Sequence, residues 1–165
     1  MRIPILILAS VLVWTKPVKA QILSTASNKP SQVYPGGRIA SGAKVYGVFV
    51  GRIACQEIMT ELNEGVRMEC AKRKVSLILY QDSVTHAPTT YTLRGMGKWT
   101  GTGKWQIVRG TATDPEAIVF KLELAPTTSL FLFNGDDNVL LILDRNKNFL
   151  VGNEKYSYAL NRARN

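Results

Sequence analysis

The chain has 165 residues, with 21 Lys and Arg against 12 Asp and Glu, a formal net charge of +9, and two cysteines. The cations are scattered among apolar residues and acids. Lys72-Arg73-Lys74 is the one run, and it reads as a solvated stretch before a strand, so a nucleic-acid partner is set aside. The first apolar stretch ends at Lys16-Pro17 after about a dozen residues, short of the roughly 20 that a spanning helix needs, so no membrane span is expected.

Arg2, an apolar run from Ile3 to Trp14, and Val18-Lys19-Ala20 with small residues flanking a cut together predict a secretory signal peptide over residues 1–20, cleaved after Ala20. No cysteine precedes Cys55, so the thiol of a lipid anchor is missing, and a soluble periplasmic or secreted protein is expected. Arg2, Lys16 and Lys19 leave with the signal. The mature 145 residues then carry 18 cations against 12 anions, or +6, on a length suited to one domain with one core.

Residues 21–43, QILSTASNKPSQVYPGGRIASGA, are rich in Ser, Pro, Gly and Asn and read as a flexible leader to a domain over 44–165. From there β signals dominate: short runs of β-branched and aromatic residues bounded by Gly, Pro, Asn or Asp. They predict about nine strands: Val45–Arg52, Lys74–Gln81, Thr89–Gly95, Lys104–Arg109, Ala117–Leu124, Ser129–Phe133, Val139–Leu143, Asn148–Val151 and Tyr156–Leu160. In the fifth, Ile118, Phe120, Leu122 and Leu124 alternate with Val119, Lys121 and Glu123, the signature of a sheet with one dry face. Asn134–Asn138 and Arg145–Asn148 supply tight turns.

Successive antiparallel strands leave two open edges unless the sheet closes on itself, so a mainly β, monomeric meander barrel of lipocalin-like type is predicted. At eight to ten strands its interior is either filled or wide enough for one small ligand. One helix is expected after the first strand, over Gln56–Asn63, where Ile58, Met59 and Leu62 share a face and Gly65 is placed as a C-cap.

Cys55 and Cys70 are fifteen residues apart, one at the start of the helix and one before a strand. In an oxidising compartment this predicts a structural disulfide. A redox centre would want a second thiol three residues on, where Ile58 stands. A copper site would recruit Met59, Met68 and His86 as soft or imidazole ligands beside reduced cysteines. The two methionines serve equally as core filler, and His86 lies in a connector.

Catalytic motifs fail on spacing. Gly101-Thr102-Gly103-Lys104 lacks the upstream glycine and the Ser or Thr of a phosphate loop, with Lys98 and Trp105 at those positions. Asp144-Arg145-Asn146-Lys147-Asn148 starts like a calcium loop, but Phe149 and Lys155 occupy its Gly and Glu places. His86 is the sole histidine, and Asp136 and Asp137 are adjacent and diverge, so no hydrolase set forms. The chain therefore reads as a non-enzyme without cofactor. Trp99, Trp105, Phe120, Phe131 and Tyr158 are the candidates to line a cavity if the barrel is hollow.

VYGVFVGRIACQEI resembles the opening of the N-terminal domain of NlpE, the copper-resistance and envelope-stress lipoprotein family. LILYQDSVTHAPTTYTLRG, GKWQIVRGTATDPEAIVFKLEL and DDNVLLILDRNKNFLVGNEKYSYALNR resemble its later strands, so the likeness runs over about residues 45–162. It implies a small, nearly closed barrel that is exported and non-enzymatic, linked in some members to copper tolerance and envelope-stress signalling. The family's C-x-x-C is here Cys55 to Ile58 and its lipid anchor is missing, so Cys70 stands as the new partner of Cys55. The reading is an exported binding or sensor domain that holds a small apolar molecule or docks on an envelope partner. The alternatives are a copper-binding protein and, further off, a hydrolase using His86.

Overall fold

The computed structural model describes residues 43–65 and 69–163. The expected signal peptide, nearly all of the leader, and Met68 lie outside them. The elements in chain order are β1 (Ala43–Ala54), α1 (Gln56–Glu61), β2 (Lys72–Asp82), β3 (Pro88–Arg94), a 3-10 turn (Gly97–Trp99), β4 (Gly101–Arg109), β5 (Ile118–Ala125), β6 (Thr128–Asp136), β7 (Val139–Leu143) and β8 (Ala159–Arg162).

Every strand pairs antiparallel with the next, and β8 returns to β1, so the meander closes as a barrel of eight strands. Closure is what the edge argument demands, because each open edge would present unpaired N–H and C=O groups. The expected strand at Asn148–Val151 does not form: only a single bridge, Leu143 to Phe149, is present there. Asp144 explains the break. Its carboxylate accepts from the Asn146 and Asn148 backbone N–H groups and from Asn148 Nδ2, which curls the chain into an Asx-type turn with Lys147 at φ +63°. Likewise the last strand begins at Ala159, later than the predicted Tyr156.

Pleating sorts the side chains. Phe49 and Ile53 on β1, Leu77 and Leu79 on β2, Leu93 on β3, Trp105 on β4, Phe120 and Leu122 on β5, Leu130 and Leu132 on β6, Leu140 and Ile142 on β7 and Leu160 on β8 form one buried cluster. Leu77, Leu79, Leu93, Leu122, Leu132, Leu140 and Leu160 are 0% exposed, which leaves no water-sized space against them. The interior is a packed core, one of the two states open to a barrel this narrow.

α1 and the 3-10 turn close one end of the barrel. Ile58 and Leu62 join the core cluster, and Met59 is buried beside them. The helix ends on Asn63 at φ +51°, not on Gly65. Glu64 N–H donates to Met59 O and Asn63 N–H to Thr60 O, the paired bonds of a Schellman cap, and asparagine tolerates that left-handed position. Trp99 donates Nε1–H to Leu62 O at 3.2 Å and so pins the 3-10 turn to the helix. The mostly buried Arg73–Glu64 ion pair ties β2 to the loop after α1.

Candidate functional site

Cys55 and Cys70 are joined, with Cα atoms 5.7 Å apart. The bond anchors the N-terminus of α1 to the chain entering β2. With both sulfurs so committed, the copper candidates do not converge. Met59 is buried against the disulfide, its Sδ 3.5 Å from Cys55 Sγ, whereas His86 sits exposed in the β2–β3 connection at φ +58°, its Nδ1 3.2 Å from Gln81 Nε2. Among the described residues no group of three or more His, Cys, Asp and Glu is arranged to hold a metal ion.

The five aromatic candidates separate into three environments. Trp105 and Phe120 touch in the core, with centroids 5.0 Å apart and Tyr46 packed on both, and Trp105 donates Nε1–H to Tyr80 O at 2.7 Å. Trp99 and Tyr158 belong to the closed end of the barrel. Phe131 shares the outer face with its ladder partner Lys121, and Lys147 Nζ lies 5.8 Å from its ring centroid. The alternation that puts Leu130 and Leu132 inside puts Phe131 outside.

The feature that the closed barrel leaves unfinished is its seam. β1 and β8 pair only at Phe49–Arg162 and Val50–Asn161, extended by Ala163 N–H to Val48 O at 2.8 Å. Beyond Val50 the two chains part, and Gly51 to Ala54 have a strand partner on the β2 side alone. Gly51 is required at the fork: a Cβ there would stand 2.5 Å from Ala159 O. Arg162 holds the closed half of the seam. Its Nη1–H donates to Tyr46 O at 2.9 Å, its Nε–H donates to Asp137 O, and its guanidinium lies over the Phe49 ring at 4.7 Å.

The parted half opens as a groove. One stretch of about 750 Å³ runs over Val50, Arg52, Lys74 and Ser76 against Tyr156 and Ser157. A second, of about 510 Å³, continues past the disulfide to Gln56, with Lys155 and Tyr156 shared between them. Glu57, at this end of the groove, accepts from the buried Tyr158, whose Oη donates to Glu57 Oε2 at 2.5 Å. Burial first, and the Glu57 carboxylate second, raise the Tyr158 pKa far above the usual tyrosine value.

Charge in the wider stretch of the groove is one-sided. Arg52 and Lys74 are cross-strand partners on the outer face, and Ser76 on the next outward rung has Arg94 beside it. Lys72 stands opposite Ala54, its Nζ 5.6 Å from the Tyr156 ring centroid. Among the described residues none of Arg52, Lys72, Lys74, Arg94 and Lys155 is in an ion pair. The wider stretch has no acid in its lining, while Glu57 and Glu154 lie at the helix end.

Sequence reasoning missed this groove. The Lys72-Arg73-Lys74 run was visible, but the β period sends Arg73 to Glu64 and leaves Lys72 and Lys74 on the outer face. Bringing Arg52, Arg94 and Lys155 beside them takes the full closure of the barrel. No family model, curated protein or solved structure matches the chain, so the NlpE-like likeness rests on the sequence stretches that suggested it.

Proposed function

We propose that this chain is an exported, non-enzymatic binding domain of the cell envelope that works through its outer surface, by docking on a partner protein along the seam groove. The observation that carries the reading is the contrast between a barrel interior packed with side chains and a long outer groove whose cations are in no ion pair among the described residues. A packed interior supports partner docking over storage of a small apolar molecule, because an enclosed ligand would have to displace residues such as Leu79 and Leu122. Complementary charge across an interface steers a partner in and fixes its register.

Site-specific photo-crosslinking in the exporting cell tests the reading. A photoreactive residue at Ser157, exposed in the groove wall, is expected to give one discrete adduct. The same group at Gln106, exposed on β4 on the far side of the barrel, is expected to give none. Adducts of equal pattern from both positions, or none from Ser157, contradict it.

A further inference from the structure

We infer that the groove takes an extended acidic peptide segment, which adds as a short strand beside the free edge of β1 and sets its carboxylates on Arg52, Lys74 and Lys155. The inference rests on the docking reading and names the partner's chemistry.

Three independent features of the seam agree on this occupant. The first is backbone: over Gly51 to Ala54 the ladder has a partner on one side only, and since alternate residues of a strand point to opposite edges, the main-chain groups of Arg52 and Ala54, in phase with the Val48 carbonyl that bonds β8, face away from β2. An edge of this kind is the template for strand addition, in which main-chain bonds supply affinity and alternate side chains supply specificity. Four residues of strand span about 13 Å, so the added segment is about four to five residues long.

The second feature is charge. Like charges directly opposite across a ladder destabilise it, and Arg52 faces Lys74 in that way with no carboxylate beside either among the described residues. Lys155 stands on the other wall, so a strand laid between the walls meets cations on both sides. Side chains on a strand return to the same face every second residue, so the acids that reach Arg52 are at i and i+2.

The third is shape and polarity. The groove is bounded by Tyr156 and Ser157, and Ser76 Oγ on its β2 side is buried without a hydrogen-bond partner among the described residues. A main-chain edge accepts a single extended chain, whereas a bilayer surface offers it no main-chain partner. A lone phosphate would leave the main-chain edge unmet. Unpaired cations beside an unpaired main-chain edge therefore favour peptide over headgroup or free anion.

The experiment uses the mature chain, residues 21–165, and a fluorescein-labelled peptide of alternating Glu and Val, read by anisotropy. Saturable one-to-one binding is expected, weakened at least about tenfold by R52Q/K74Q and about tenfold between low and high salt. Deuterium exchange at the Arg52 and Ala54 amides is expected to slow on binding, while that at Gly51 and Ile53, which face β2, is expected to hold. K104Q/K121Q, which removes two cations from another face, is expected to leave binding unchanged, and circular dichroism of both variants checks that the barrel is intact. Equal binding of a block Glu-then-Val peptide, tighter binding of anionic phosphatidylglycerol vesicles, or equal loss in K104Q/K121Q would overturn the inference. So would self-association of R52Q/K74Q without peptide binding in the parent, which would make the cations guards of the edge against a second copy. A persisting Ser157 crosslink with no acidic-peptide binding removes the acidic chemistry alone and leaves docking in place.

Discussion

Tyr158 joins the core to the groove through one hydrogen bond. Its ring is buried among core residues, and its hydroxyl donates to the Glu57 carboxylate at the helix start. Ionising this phenol in the folded protein would place an anion in a dry site beside another anion, which is why its pKa is raised. Tyr91 shifts in the same direction, through burial and then Glu123. The sign of the linkage follows. A raised folded-state value contributes stability that is present below the unfolded tyrosine value of about 10 and is lost as pH climbs above it. Urea midpoints are therefore expected to hold steady up to about pH 9 and to fall beyond about pH 10, with a shallower fall in Tyr158→Phe. An alkaline limb identical in that variant would show that Tyr158 carries none of the effect.

Other residues were legible from period alone. Tyr91 and Leu93 point inward and Arg94 outward, as alternation requires, and Phe120 and Leu122 oppose Lys121 in the same way, but at the start of that strand the expected faces are reversed, with Ile118 exposed and Val119 buried. Phe131 shows where aromaticity misleads. Its type suggests an interior place, but its position between Leu130 and Leu132 fixes it outside.

At the scale of elements, the segment from Cys55 to Cys70 is a short helix held at both ends. Six residues are too few for a helix to persist in water on its own, so α1 depends on packing Ile58 and Leu62 under the barrel and on the disulfide. Opening the bond by C55S/C70S frees a loop with a sequence separation of 15 and is expected to lower stability by about 3 kcal/mol, read from urea unfolding. Amide exchange in α1 should rise before exchange in β2 and β3. Unchanged stability would mean that packing alone fixes the helix.

Elements were readable where local chemistry and long-range pairing agree. Val139–Leu143 is a strand with the predicted bounds, flanked by a turn of Asp137 and Asn138. Asn148–Val151 had suitable residues too, but Asp144 takes two of the backbone donors that a hairpin ladder needs, and no second strand forms. The helix end shows the same competition: Gly65 looked the natural stop, yet Leu62 completes the buried face and Asn63 then turns the chain.

At the scale of the whole molecule, closure makes both the core and the site. Eight strands curled into a cylinder bring inward rows from every strand into one packed interior. The same closure is incomplete between β1 and β8, and this gap is where Arg52, Lys74 and Lys155 face each other. The barrel was legible because edge avoidance and alternation act on every strand. The groove was not, because it depends on where two strands far apart in the chain stop pairing, after Val50–Asn161, and nothing local to Gly51 or Ala159 announces the fork.

Titration of residues 21–165 with an apolar fluorescent probe tests the central claim, that the protein works by its surface around a solid interior. The packed core predicts a weak, linear rise in emission without saturation. Saturable binding of one probe per chain, lost on filling the interior by Leu122→Trp, would contradict it.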